Sequence, residues 1–154
     1  MTYEELEAAI RQLIAEASQD SLRTFGAETI ARLVQDELLD FAAEDELDEG
    51  AWAALTAARE NVLTAGATEL RAQLTRIDEG VLTDGDMDTG LLTMISALEH
   101  WTAYLEEDGR DDLYELAIRS IEQVDFQVSA ELDDFLAKPE MAAEYQRIRR
   151  LLTA

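Results

Sequence analysis

The sequence predicts an all-α protein: a single-domain bundle of about seven helices, mostly antiparallel, over residues 1–154, with a long central helical hairpin at about 89–136. Three observations predict it. Apolar residues recur at steps of three and four through most of the chain, the period of one helix face. No stretch sustains strict alternation with β-branched and aromatic residues, and one proline and seven glycines leave few breakers. The length suits one core that removes roughly 68–70% of the unfolded surface from water, whereas two domains would leave two undersized cores.

The hairpin is the strongest element. Leu91, Met94, Ile95, Leu98, Trp101, Thr102 and Leu105 share a face for about four turns. After the polar break Glu106-Glu107-Asp108-Gly109-Arg110-Asp111-Asp112, the same spacing returns at Leu113, Ala117, Ile121, Val124, Val128, Leu132 and Phe135. Helices joined by so short a break pack antiparallel, so each stripe is expected to bury the other.

The remaining elements follow in order. Thr2 with Glu5 has the spacing of a capping box, and Leu6, Ile10, Leu13 and Ile14 form the stripe behind it. A second helix starts at Asp20 or Ser21 and carries Phe25, Ile30, Leu33, Val34, Leu38 and Phe41. The charged connector 44–50 leads into a third helix, with Asp48 or Glu49 at its positive end and Trp52, Leu55, Ala58, Val62 and Leu63 as its stripe. Ala65-Gly66 reads as its C-cap. Thr68 starts a shorter helix through Leu70, Leu74 and Ile77, and 81–90 reads as the longest loop. Pro139 suits the first turn of a last helix, with Met141, Tyr145, Ile148, Leu151 and Leu152 inward and Arg147, Arg149 and Arg150 near its negative end.

Composition narrows function by exclusion. The net charge is −23, from 35 acidic residues against 12 basic ones, with Lys138 the single lysine. Nucleic acid and anionic membrane surfaces are therefore unexpected partners, since phosphates demand clustered cations. A basic protein is the natural partner, because opposite charge steers association. Acidity that serves only solubility, set by genome composition or a salty cytoplasm, stands beside that reading. No cysteine is present, which excludes thiolate metal sites and fits a reducing compartment. Residues 1–20 lack a basic signal region, and the longest apolar run falls far short of the ~20 residues a bilayer requires. A cytoplasmic, soluble protein is expected.

Catalytic patterns are weak. Asp84-Gly85-Asp86-Met87-Asp88-Thr89-Gly90 resembles a calcium loop, but from Asp84 the turn position 6 is Thr89 and the bidentate position 12 is Ile95. Helix capping by Asp88 or Thr89 explains the segment better. The single histidine, His100, has Ala97 three residues before it, so the Glu-x-x-His pair of di-metal bundles is missing. No nucleophile–base pair, phosphate loop or dinucleotide fingerprint is visible, so neither an enzyme nor a cofactor is expected. A carboxylate metalloenzyme is the reading that bound metal would revive. What remains is three acidic clusters: Glu44, Asp45, Glu46, Asp48 and Glu49; Asp84, Asp86 and Asp88; and Glu106, Glu107, Asp108, Asp111 and Asp112. The second and third are the candidate partner-binding residues, carboxylates presented to arginines and lysines as a phosphate backbone would present its charge.

Several segments resemble a known family. Phe25 with Arg32-Leu33 is similar to the Phe-x6-Arg-Leu segment of the YjaG-like uncharacterised helical proteins and of the related immunity family five of polymorphic toxin systems. The helix 52–63 resembles the family's alanine-rich third segment, and the acidic loop 84–88 leads, as there, into a helix rich in small and apolar residues. The run 113–135, with Pro139, Glu140 and Glu144-Tyr145-Gln146, looks like the C-terminal part. Ala31 and Val34-Gln35 depart from the pattern. The resemblance implies an all-helical, non-catalytic protein and, in the immunity branch, one that neutralises a cognate toxin, a basic nuclease being one form of it. The alternative is a structural or regulatory helical protein, with a homodimer as one form of it.

Overall fold

The computed structural model describes residues 1–35, 46–82 and 87–154. Within them the chain is all-α: α1 (Tyr3–Glu16), α2 (Gln19–Leu33), α3 (Glu49–Glu60), α4 (Ala67–Glu79), α5 (Thr89–Glu107), α6 (Arg110–Val128) and α7 (Pro139–Leu152), with a 3₁₀ turn at Phe135–Ala137. Only isolated bridges, Leu47 with Val81 and Glu131 with Asp134, depart from helix and turn among these residues. Among the described residues no helix is long and apolar enough to cross a membrane. The residues cluster into two compact units, Met1–Thr29 with Gly109–Ala154, and Ile30–Asp108.

In the first unit α1 and α7 pack on α6, and the 3₁₀ turn packs on α7. Thr2 caps α1 and Glu5 returns to the Thr2 backbone, so the capping box is formed as its spacing requires. Leu6, Ile10 and Ile14 are buried behind it. The last turn of α1 holds no basic residue. Arg110 supplies one from the start of α6, its guanidinium donating to the carbonyls of Ile14 and Ala17. Those carbonyls would otherwise be orphaned at a negative helix end. Phe135 is buried edge-on against Tyr3, with ring centroids 5.1 Å apart.

In the second unit α4 packs closely on α3, and α5 packs on α4. Asp48 caps α3 through the Ala51 N–H at 2.7 Å, and its own N–H donates to the Gly80 carbonyl at 2.8 Å. Gly80 is what admits this approach: a Cβ there would sit 2.4 Å from Ala51 Cβ and 2.5 Å from Asp48 Oδ1. Trp101, buried in α5, donates its indole N–H to the Val62 carbonyl at 3.2 Å, satisfying the polar end of an otherwise apolar side chain.

The structure departs from the periodicity in two places. The stripe 113–135 is not one helix: α6 stops at Val128, Ser129 turns left-handed (φ 51°), and Leu132 is 66% exposed. The Ser129 N–H donates to the Asp125 carbonyl and the Ala130 N–H to the Asp125 carboxylate, which ends the helix whatever the later spacing. Ala65-Gly66 is not the C-cap of α3; Asn61 is, and Gly66, with ordinary φ of −77°, is the N-cap of α4. Leu63 consequently lies beyond the helix and is exposed. Leu38 and Phe41 lie outside the described residues.

The closeness at Gly80 yields a prediction. Gly80→Ala should destabilise the protein by about 1–3 kcal/mol through overpacking against Ala51 and Asp48. Denaturant unfolding followed by helical circular dichroism measures it, and an unchanged midpoint would refute the contact.

Candidate functional site

Each acidic cluster can be followed from its helix ends outward. In the connector, Glu46 accepts the Asp88 N–H with both oxygens, at 2.9 and 3.0 Å. Asp48 caps α3 and pairs with Arg76 at 3.0 Å. The Ala51 amide and then Arg76 hold the Asp48 carboxyl below the usual carboxylate range. Glu49 is exposed in the first turn of α3. Glu44 and Asp45 lie outside the described residues, as do Asp84 and Asp86 of the loop. Asp88 caps α5 through the Leu91 N–H at 3.1 Å, so it serves the helix rather than an ion. Among the described residues no group of three or more histidines and carboxylates is arranged to hold a metal.

The third cluster is divided by its surroundings. Glu106 accepts from Arg71 at 2.7 and 3.4 Å, and that guanidinium holds its carboxyl below the usual range. Glu107 and Asp108 are exposed at the end of α5, with Asp108 in the left-handed region (φ 56°) as its C-cap. Asp111 is exposed in the first turn of α6, in the other unit, and Asp112 there is half-buried. Of the eight expected partner-binding residues, Glu107, Asp108 and Asp111 are thus presented outward, while Asp88 and Glu106 are committed within the fold.

The arginines explain why so many carboxylates remain outside. The unit Ile30–Asp108 has 19 acidic residues against four arginines. All four, Arg32, Arg59, Arg71 and Arg76, are half-buried. Arg59 donates to the Val34 carbonyl at 2.7 Å, while Arg71 and Arg76 pair with Glu106 and Asp48. Among the described residues of that unit the Arg71 and Arg76 side chains are 41% exposed but each is paired with a carboxylate, while Glu49, Glu60, Glu69, Asp78, Glu79, Glu99, Glu107 and Asp108 are exposed acids. This acidic excess at the surface was hidden in the linear sequence, because nothing local indicates which carbonyl or carboxylate an arginine will meet.

A buried polar set in the first unit was also missed. Glu144, 4% exposed, accepts from the Ser120 hydroxyl and from Arg147 at 2.8 Å. Arg147 also donates to the Thr29 hydroxyl at 3.1 Å, so α2, α6 and α7 are tied by one cluster. The Glu144/Arg147 spacing of three was the available signal, since it places both on one helix face. The cluster is enclosed and its charges are matched, which makes it a positioning device for the three helices. Nearby, Tyr114 donates to Glu7 at 3.0 Å beneath the Arg11 guanidinium, 3.9 Å from the ring.

Two predictions follow from these groups. Glu144→Gln should cost several kcal/mol, within the ~3–5 kcal/mol for breaking a buried pair, whereas Glu144→Met with Arg147→Met should recover much of it; a double-mutant loss equal to the sum of the two single Met losses would show the pair to be uncoupled. The second concerns pH. Burial, then Glu7 and Glu122, push the Tyr3 phenol up to about 12 from its ordinary 10.0, and burial with Glu7 raises Tyr114 as well. The unfolded chain therefore loses these protons first, so their stabilisation is complete below pH 10.0 and fades as pH climbs toward about 12. Tyrosinate absorbance should rise late in the folded protein, and Tyr3→Phe should remove part of the alkaline instability; titration of all tyrosines at the ordinary value would contradict this.

Comparison with protein-family models, with curated proteins and with solved structures finds no match to this chain.

Proposed function

We propose that this is a non-catalytic, cytoplasmic binding protein that engages a basic protein through the unit Ile30–Asp108. The single observation that carries the reading is the charge distribution of that unit: Arg59, Arg71 and Arg76 are engaged by a carbonyl or a carboxylate, and the described exposed charges are predominantly acids. A strongly acidic surface concentrates an oppositely charged partner around it and speeds encounter. The segmental resemblance to immunity family five gives the partner its most specific form, a cognate toxin encoded beside this protein and neutralised by direct binding.

The test pairs growth rescue with association kinetics. The product of the adjacent gene is expressed with the wild-type protein and with a variant carrying Glu99→Lys, Glu107→Lys and Asp108→Asn, where Glu99 and Glu107 are exposed on α5 and Asn suits the left-handed C-cap that Asp108 forms. Rescue by the wild type should be lost or weakened in the variant, and the association rate should fall about 10- to 10³-fold, matching the loss that added salt causes in the wild type. Rescue that survives both the substitutions and high salt would defeat the charge mechanism.

A further inference from the structure

We infer that the unit Ile30–Asp108 is a conformational device that responds to ionic strength: carboxylates at the ends of its helices loosen the last turns at low salt, and surrounding counter-charge tightens them. The helices that lie wholly within it among the described residues, α3, α4 and α5, each end on a glutamate: Glu60, Glu79 and Glu107. All three are exposed, as are Asp78 before Glu79 and Asp108 after Glu107. The C-terminal end of a helix carries about −0.5 elementary charge on carbonyls that have no intrahelical donor. An acid placed there repels the backbone it terminates and favours unwinding of the last turn.

The cations that would offset this are committed elsewhere. Arg59, in the last turn of α3, donates to the Val34 carbonyl, and Arg76, in the last turn of α4, pairs with Asp48. The last turn of α5 holds no basic residue, and Arg71 of α4 is taken up by Glu106. The other unit is finished differently. There α1 also ends on a glutamate, Glu16, but Arg110 donates to the carbonyls of that end. Arg149 and Arg150 stand in the last turn of α7, and α6 ends on the uncharged Val128. The conflict between acid and negative helix end is therefore concentrated in the unit Ile30–Asp108.

Ionic strength sets how far each carboxylate is felt, because the screening length falls from roughly 30 Å at 0.01 M to about 3 Å at 1 M. At the lower concentration every acid of the unit acts on each helix end, and at the higher one only groups in contact do. This response needs no partner, so it stands or falls independently of the function proposed above.

The chain carries its own reporter: its two tryptophans, Trp52 and Trp101, both lie in this unit, so their fluorescence follows it alone. Urea, which is uncharged, serves as denaturant for the full chain in about 0.01 M and about 1 M NaCl. The wild-type midpoint should be higher in the higher salt. Glu79→Gln with Glu107→Gln removes two charges from negative helix ends at nearly constant shape and helix propensity. It should raise the folded-to-unfolded ratio at the lower salt about 3- to 30-fold and flatten the salt dependence. Glu49→Gln with Glu69→Gln removes the same charge from the first turns of α3 and α4, where the dipole favours an acid, and should raise the ratio less or lower it. A wild-type midpoint independent of salt, or no gain from the helix-end pair, would overturn the inference. So would a gain from the first-turn pair as large as that from the helix-end pair, since net charge rather than its position would then be responsible.

Discussion

A chain with a formal charge of −23 has to fold against its own repulsion, and where it places its few cations decides much else. Several of the arginines sit against carbonyls and carboxylates that need a donor. Arg110 closes the carbonyl end of α1, Arg59 takes the Val34 carbonyl, and Arg147 neutralises the buried Glu144. Arg71 and Arg76 hold Glu106 and Asp48, the latter also a helix cap. The planar, multiply donating guanidinium suits such posts, which a lysine would fill less well. That agrees with a composition in which Lys138 is the one lysine.

The same economy shapes the outside. Every arginine engaged by a carbonyl or a carboxylate leaves other carboxylates on the surface without a neighbouring cation, and in the Ile30–Asp108 unit the described exposed charges are predominantly acidic. Exposed pairs would have contributed little stability in any case, so the inward placement costs the fold little. It also strengthens the field that an approaching basic molecule would meet. Long-range attraction and short-range grip are separate physical problems, however. Carboxylates alone accelerate encounter, while residence depends on apolar groups that shed water on contact; the exposed large hydrophobics of the first unit are Met1, Phe126 and Leu132.

Packing within each unit rests on two different devices. Between α3 and α4 it is the absence of a side chain at Gly80 that lets the Asp48 and Ala51 backbone come close. Among α2, α6 and α7 it is a matched polar cluster, Thr29, Ser120, Glu144 and Arg147, whose members can all be satisfied only in one arrangement. Such clusters add little net stability over an apolar core, but they penalise any misaligned packing that would strand a charge.

What the sequence by itself determined is local. The all-α class, the capping box at Thr2 and Glu5, the caps at Asp48 and Asp88, and the opening of α7 at Pro139 all depend on residues three or four positions apart, and such interactions are visible in a linear string. Tertiary structure alone decided which faces meet. The apolar spacing runs on to Phe135, yet α6 ends at Ser129 because Asp125 captures the next two amides. Within its own unit α5 packs on α4, and within the other α6 packs on α1 and α7, partners that the spacing of neither stripe names. Acids that read alike as clusters separated into caps, ion pairs and free surface, as Asp88, Glu106 and Glu107 illustrate. The reason is common to all of these: periodicity states that a face is apolar or charged, but its partner is chosen by groups distant in sequence that only the folded chain brings within reach.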